Sequence, residues 1–102
     1  MKILITESQF KNILTGYFDM ILGYPEFDFV DRIEVIEGTT KRGNWRNEYI
    51  VPYYEYIIYI NDYDKRVEGL RERIADAHKM VFPQNDDGSV RAYYSIDTKY
   101  EL

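Results

Sequence analysis

At 102 residues the chain is one domain near the commonest domain size, and its 45% hydrophobic content can build a core without metals or disulfides. Cysteine is absent, so there is no disulfide framework, thiolate nucleophile or Cys-based zinc site, which fits a reducing cytoplasm. A net charge of −5 speaks against a general nucleic-acid binder, and no apolar run reaches the length of a membrane span.

The opening MKILITES holds too few apolar residues for a signal peptide, so the expected setting is cytoplasmic. Lys2–Ile5 fits a short strand. Thr6 then reads as a helix N-cap with Gln9 at capping-box spacing, and Ile5 and Phe10 form a hydrophobic staple. Phe10, Ile13, Leu14, Tyr17, Phe18, Ile21 and Leu22 repeat as one apolar stripe. Gly23 suits the left-handed position after a helix, and Pro25 prevents resumption.

Phe27 to Glu37 alternates, with Phe27, Phe29, Ile33 and Val35 on one parity and Asp28, Arg32 and Glu34 on the other. Asp31 breaks the apolar parity and marks a bulge or an exposed end. Gly38 to Glu48 is rich in turn residues and reads as a hairpin loop. Tyr49 to Tyr63 holds six of the eleven tyrosines, mixed with isoleucine and valine, which is strand chemistry. Pro52 cannot donate to a ladder, so pairing starts after it or the strand is locally an edge. Past Pro52, Tyr54, Tyr56, Ile58 and Ile60 form one face, and Tyr53, Glu55, Ile57 and Tyr59 the other.

A second helix is expected over 62–82, with Asp62 and Asp64 at its positive end and a stripe of Val67, Leu70, Ile74, Ala77 and Val81. Asn85-Asp86-Asp87-Gly88 is a turn, and Val90 to Asp97 alternates as a last strand. The expected fold is α+β, in the order (β)αββαβ. Two helices pack on one face of a three- or four-stranded, mostly antiparallel sheet, matching the ferredoxin-like order if the first strand forms.

The only histidine, His78, has no partner at catalytic spacing and reads as a solvated residue near a helix C-terminus. Asp86-Asp87-Gly88 fails the calcium-loop pattern, because Pro83 and Tyr94 stand where ligands are required. Phosphate loops and nucleophile elbows are absent from the sequence, so no catalytic, metal or cofactor residue is assigned.

Three features point to binding. Tyr53, Ile57, Tyr59 and Tyr93 can form an aromatic patch on the sheet's second face, the sign of a protein partner or of self-association. Lys41, Arg42, Trp45 and Arg46 interleave base and aromatic, which suits a protein interface or a single-stranded nucleic acid. Residues 26–37 are acidic, and outward Glu26, Asp28 and Glu34 could tune specificity or mimic phosphates. The expected function is a non-catalytic protein-interaction domain. The alternatives are a single-stranded nucleic-acid module using loop 41–46 and a homo-oligomeric structural component.

The opening segment KILITESQFKNIL, residues 2–14, resembles the starts of many small uncharacterised proteins of tailed bacteriophages. The resemblance implies a phage accessory or virion-associated protein, one that engages a host or phage protein, in the host cytoplasm. It assigns no residue a role.

Overall fold

The computed structural model describes residues 7–101. The expected strand Lys2–Ile5 and the Thr6 cap with its staple residue Ile5 lie outside them. The described elements are α1 (Glu7–Leu22), a 3-10 turn (Pro25–Phe27), β1 (Val30–Asn44), β2 (Asn47–Ile60), α2 (Val67–Val81) and β3 (Tyr93–Tyr100). The α+β class with two helices and a three-stranded sheet is as expected.

The sheet order is β1-β2-β3, with β1 antiparallel to β2 and β3 parallel to it. The β2-α2-β3 segment is a βαβ unit whose strands pair directly. The ferredoxin-like arrangement splits that unit with an inserted strand, so the order here departs from it.

Two packed layers make the core. From α1, Leu14, Phe18 and Ile21 are buried, and from α2, Val67, Leu70, Ile74 and Ala77. They close over Val35, Tyr54, Tyr56, Ile58 and Ile60, the face of the sheet that period-two alternation assigns to them. Phe18 meets Tyr56 edge-on at 5.7 Å between ring centres, which ties α1 to the middle of β2.

Several boundaries shift. Pro25 does more than stop α1: it starts the 3-10 turn that drops Phe27 into the core, so β1 begins only at Val30. Gly23 does not take a positive φ, which among the described residues belongs to Gly43 and Gly88 alone. The chain leaves α1 through tight turns from Gly23 N–H to the Met20 carbonyl and from Tyr24 N–H to the Ile21 carbonyl. Asp31 is the extra residue of a bulge between Val30 and Arg32, and it keeps Ile33 and Val35 facing inward.

The helix expected over 62–82 begins at Val67, because Asp64 is spent on a preceding turn in which its carboxylate accepts the Arg66 N–H. The Asn85–Gly88 turn is present, and Asp87 accepts both the N–H and the hydroxyl of Ser89. β3 starts at Tyr93 rather than Val90, with Ala92 buried just before it. No helix among the described residues is long and apolar enough to cross a membrane.

Candidate functional site

The segment expected as a loop, Gly38 to Glu48, is strand nearly throughout. The β1–β2 ladder runs unbroken from Arg32–Tyr59 to Asn44–Asn47, closed by the two-residue turn Trp45-Arg46. Turn-forming residues dominate the composition, but the register set by the apolar end of the hairpin carries on through them. At the turn, Asn44 Oδ1 accepts the N–H groups of Arg46 and Asn47. Gly43 sits at φ +100, and a Cβ there would collide with the Asn47 carbonyl oxygen.

β3 accompanies β2 only from Tyr53 onward. Beyond Pro52 the hairpin is therefore a two-stranded arm, about 20 Å long from Tyr53 to Asn47 at the usual strand rise. Residues 41–50 are all exposed. The pairing frontier falls at Pro52, the residue that lacks a ladder donor.

The register places the side chains of the open sheet face in rows. From the tip these are Asn44 with Asn47, Arg42 with Tyr49, Thr40 with Val51, and Gly38 with Tyr53 and Tyr93. Then come Ile36 with Glu55 and Ser95, Glu34 with Ile57 and Asp97, and Arg32 with Tyr59 and Lys99. The face divides in two. The four rows toward the arm contain no carboxylate and three tyrosines. The three rows toward the body contain three carboxylates and two cations.

In the body half, Arg32, Glu34 and Tyr59 engage one another. Ile57 is 2% exposed, so it cannot serve as a contact, contrary to the sequence expectation. It is central on the middle strand, hemmed in by Glu34 and Asp97. The Tyr59 hydroxyl donates to Glu34, and the Arg32 guanidinium lies 3.8 Å from the Tyr59 ring centre. Arg32 also pairs with Asp31 and Glu101, which raises its pKa further. Glu34 is thus committed to Tyr59. Glu26 and Asp28, expected to face outward on a strand, lie in and after the 3-10 turn, paired with Arg73 and Arg66.

The arm half differs. Trp45 is 81% exposed at the tip, with the Arg46 guanidinium 4.5 Å from its ring centre. Arg42 reaches from β1 across the central strand to lie 4.0 Å from the Tyr93 ring centre, and Val51 between them is buried. Tyr53 and Tyr93 are half-buried, and the Tyr53 hydroxyl hydrogen-bonds with Ser95 Oγ. Tyr49 is half exposed. On the body, the ring-stacked arginines Arg32, Arg66 and Arg73 all have carboxylate partners. Among the described residues, Lys41, Arg42 and Arg46 have none within ion-pair distance.

His78, expected to be solvated, is 2% exposed. Its Nε2–H donates to the Ala92 carbonyl, which can only accept, so Nδ1 accepts the Tyr56 hydroxyl at 2.6 Å. Burial lowers its pKa, opposed by the Ala92 bond. A sequence signal for this existed: His78 stands four residues after the core residue Ile74. An apolar groove of about 510 Å³ lies beside it, lined by Phe82, Pro83, Val90 and Tyr94. With both ring nitrogens engaged, His78 offers that groove no free base.

Comparison with protein-family models, curated proteins and solved structures finds no match.

Proposed function

We propose that the protein is a non-catalytic interaction domain whose binding element is the projecting β-arm together with the carboxylate-free half of the open sheet face. The observation that carries this reading is Trp45. It is the chain's only tryptophan, and it stands 81% exposed at the end of an arm that contributes nothing to the core cluster. Tryptophan, tyrosine and arginine are the residues that anchor interfaces, and here they stand together on one projecting element. Arg46, Arg42, Tyr49 and Tyr93 surround the same surface, whereas Ile57 and Tyr59 lie outside it. The buried, doubly bonded His78 supports a binding role over acid–base chemistry. An accessory role in a phage fits the resemblance of the opening segment.

The test is to shorten the arm in register. Lys41 pairs with Ile50, so an Asn-Gly turn can replace residues 42–49. The shortened protein should keep its circular dichroism and melting temperature while losing the complex that the full chain forms in cells of its source. A complex that survives the shortening sinks this reading.

A further inference from the structure

Resting on the arm as the binding element, we infer that its partner is a single-stranded nucleic acid. Bases stack on Trp45 and Tyr49, and phosphates are held by Arg42 and Arg46, while Lys41 adds charge from the opposite face of the arm.

Charge is the first argument. Residues 41–48 carry three cations and one carboxylate, a local charge of +2, so the rest of the chain carries −7. Such a body repels phosphate. However, the tip stands about 20 Å from the last three-stranded row, roughly two Debye lengths at physiological ionic strength. Arg46 at the tip therefore stands outside the reach of the acidic body, while Arg42 lies over Tyr93 on the carboxylate-free half of the face.

The distribution of partners is the second argument. The body's ring-stacked arginines are neutralised by carboxylates, and those of the arm are not. An arginine held over an aromatic ring without a carboxylate partner keeps N–H donors for phosphate oxygens. Arg42 on Tyr93 and Arg46 on Trp45 both have this arrangement.

The side-chain inventory of the face decides between partner classes. A protein hot spot wants aliphatic packing around its aromatic anchor. The arm's open face offers only Val51, which is already buried, and exposed Ile50 belongs to the opposite face. What the face and tip do offer is the exposed rings of Tyr49 and Trp45 with Arg42 and Arg46 beside them, a pairing that binds an unpaired base by its π-face and a backbone by its charge. A duplex hides its base faces, and two cations hold it weakly.

The single tryptophan makes the test direct. The full-length protein is titrated with oligo-dT and oligo-rU of about ten nucleotides at low salt, and indole fluorescence is followed. Quenching is expected. Two phosphate contacts predict a log–log salt slope of about −1.4, so a fourfold rise in salt weakens binding about sevenfold. By anisotropy of a labelled oligonucleotide, R42E with R46E should weaken binding at least tenfold, and Tyr49→Ala about five- to a hundredfold. Both variants should keep the wild-type melting temperature, since the arm lies outside the core.

Absence of quenching and of an anisotropy change overturns the inference. So does equal affinity for a duplex of the same length, or unchanged binding by the double reversal. A chain that ignores oligonucleotides yet loses its cellular complex on arm shortening keeps the arm reading and excludes nucleic acid. Arm-dependent self-association by light scattering, without oligonucleotide binding, likewise overturns it in favour of a second copy.

Discussion

Protonating His78 forces a choice on a buried trio. At neutral pH the chain of bonds is complete: Tyr56 O–H donates to Nδ1, and Nε2–H donates to the Ala92 carbonyl. Burial raises the Tyr56 pKa, so the phenol remains a donor through the accessible range. An imidazolium would hold two N–H donors in a site with one fixed acceptor. The unfolded chain takes up this proton near its ordinary value of about 6.5, and the native state only below that. The trio's contribution is therefore full above about pH 6.5 and is lost as pH falls through the depressed native value. Urea midpoints should drop from about pH 7.5 to about pH 5, and His78→Gln should flatten that drop relative to wild type. Tyr56→Phe leaves Nδ1 without its donor and should cost about 1–3 kcal/mol in the same denaturation at neutral pH. The signal in the chain was weak at this scale. Helical spacing from Ile74 puts His78 near the core, but its partners Tyr56 and Ala92 come from elements that spacing does not connect.

At the scale of elements, the hairpin is two structures in one. Its lower part, up to Tyr53, is held by helices on one face and by β3 at its side. Its upper part has its own ladder and turn, the Arg42–Tyr93 contact and the neighbouring segment 85–91, with neither helix nor third strand against it. Local opening should follow that division, with amides of residues 41–50 exchanging faster than those of 54–60. Gly43→Ala sharpens the prediction. It strains a positive-φ position and drives a methyl group at the Asn47 carbonyl, which should cost about 1–3 kcal/mol of arm stability. The global melting temperature should barely change, while exchange across 41–50 accelerates. A large fall in melting temperature would show that the arm folds as one unit with the body. Alternation correctly divided Tyr54, Tyr56, Ile58 and Ile60 from Tyr53, Glu55, Ile57 and Tyr59, and of the bulge or exposed end read at Asp31 the structure has the bulge. It could not show that Gly38–Glu48 is strand, because Gly, Thr and Asn there lack the side chains from which a strand is read. Nor could it show that β3 lies parallel on β2, since periodicity reports which face a residue takes and not which strand stands beside it.

For the whole molecule, the expected class and the helix-covered face were legible because a core needs apolar area and apolar spacing announces it. The binding surface was legible only as fragments: Trp45 and Arg46 as one, Tyr53 and Tyr93 as another. The reach of Arg42 across β2 to Tyr93 joins them, and no spacing in the chain encodes that contact. The arm has a further consequence for how this protein behaves in a crowded solution. Both of its strands present unpaired backbone along their outer edges, the template from which fibrils and misassembled dimers grow. One edge is guarded by the repulsion of Lys41 and Arg42 and the other is interrupted by Pro52. Replacing Lys41 and Arg42 with threonine, and Pro52 with valine, should leave the monomer folded yet turn it into a seed for amyloid, seen as thioflavin fluorescence growing with concentration. Arg42, which readies the arm for a partner, thus also helps keep copies of this chain from becoming that partner.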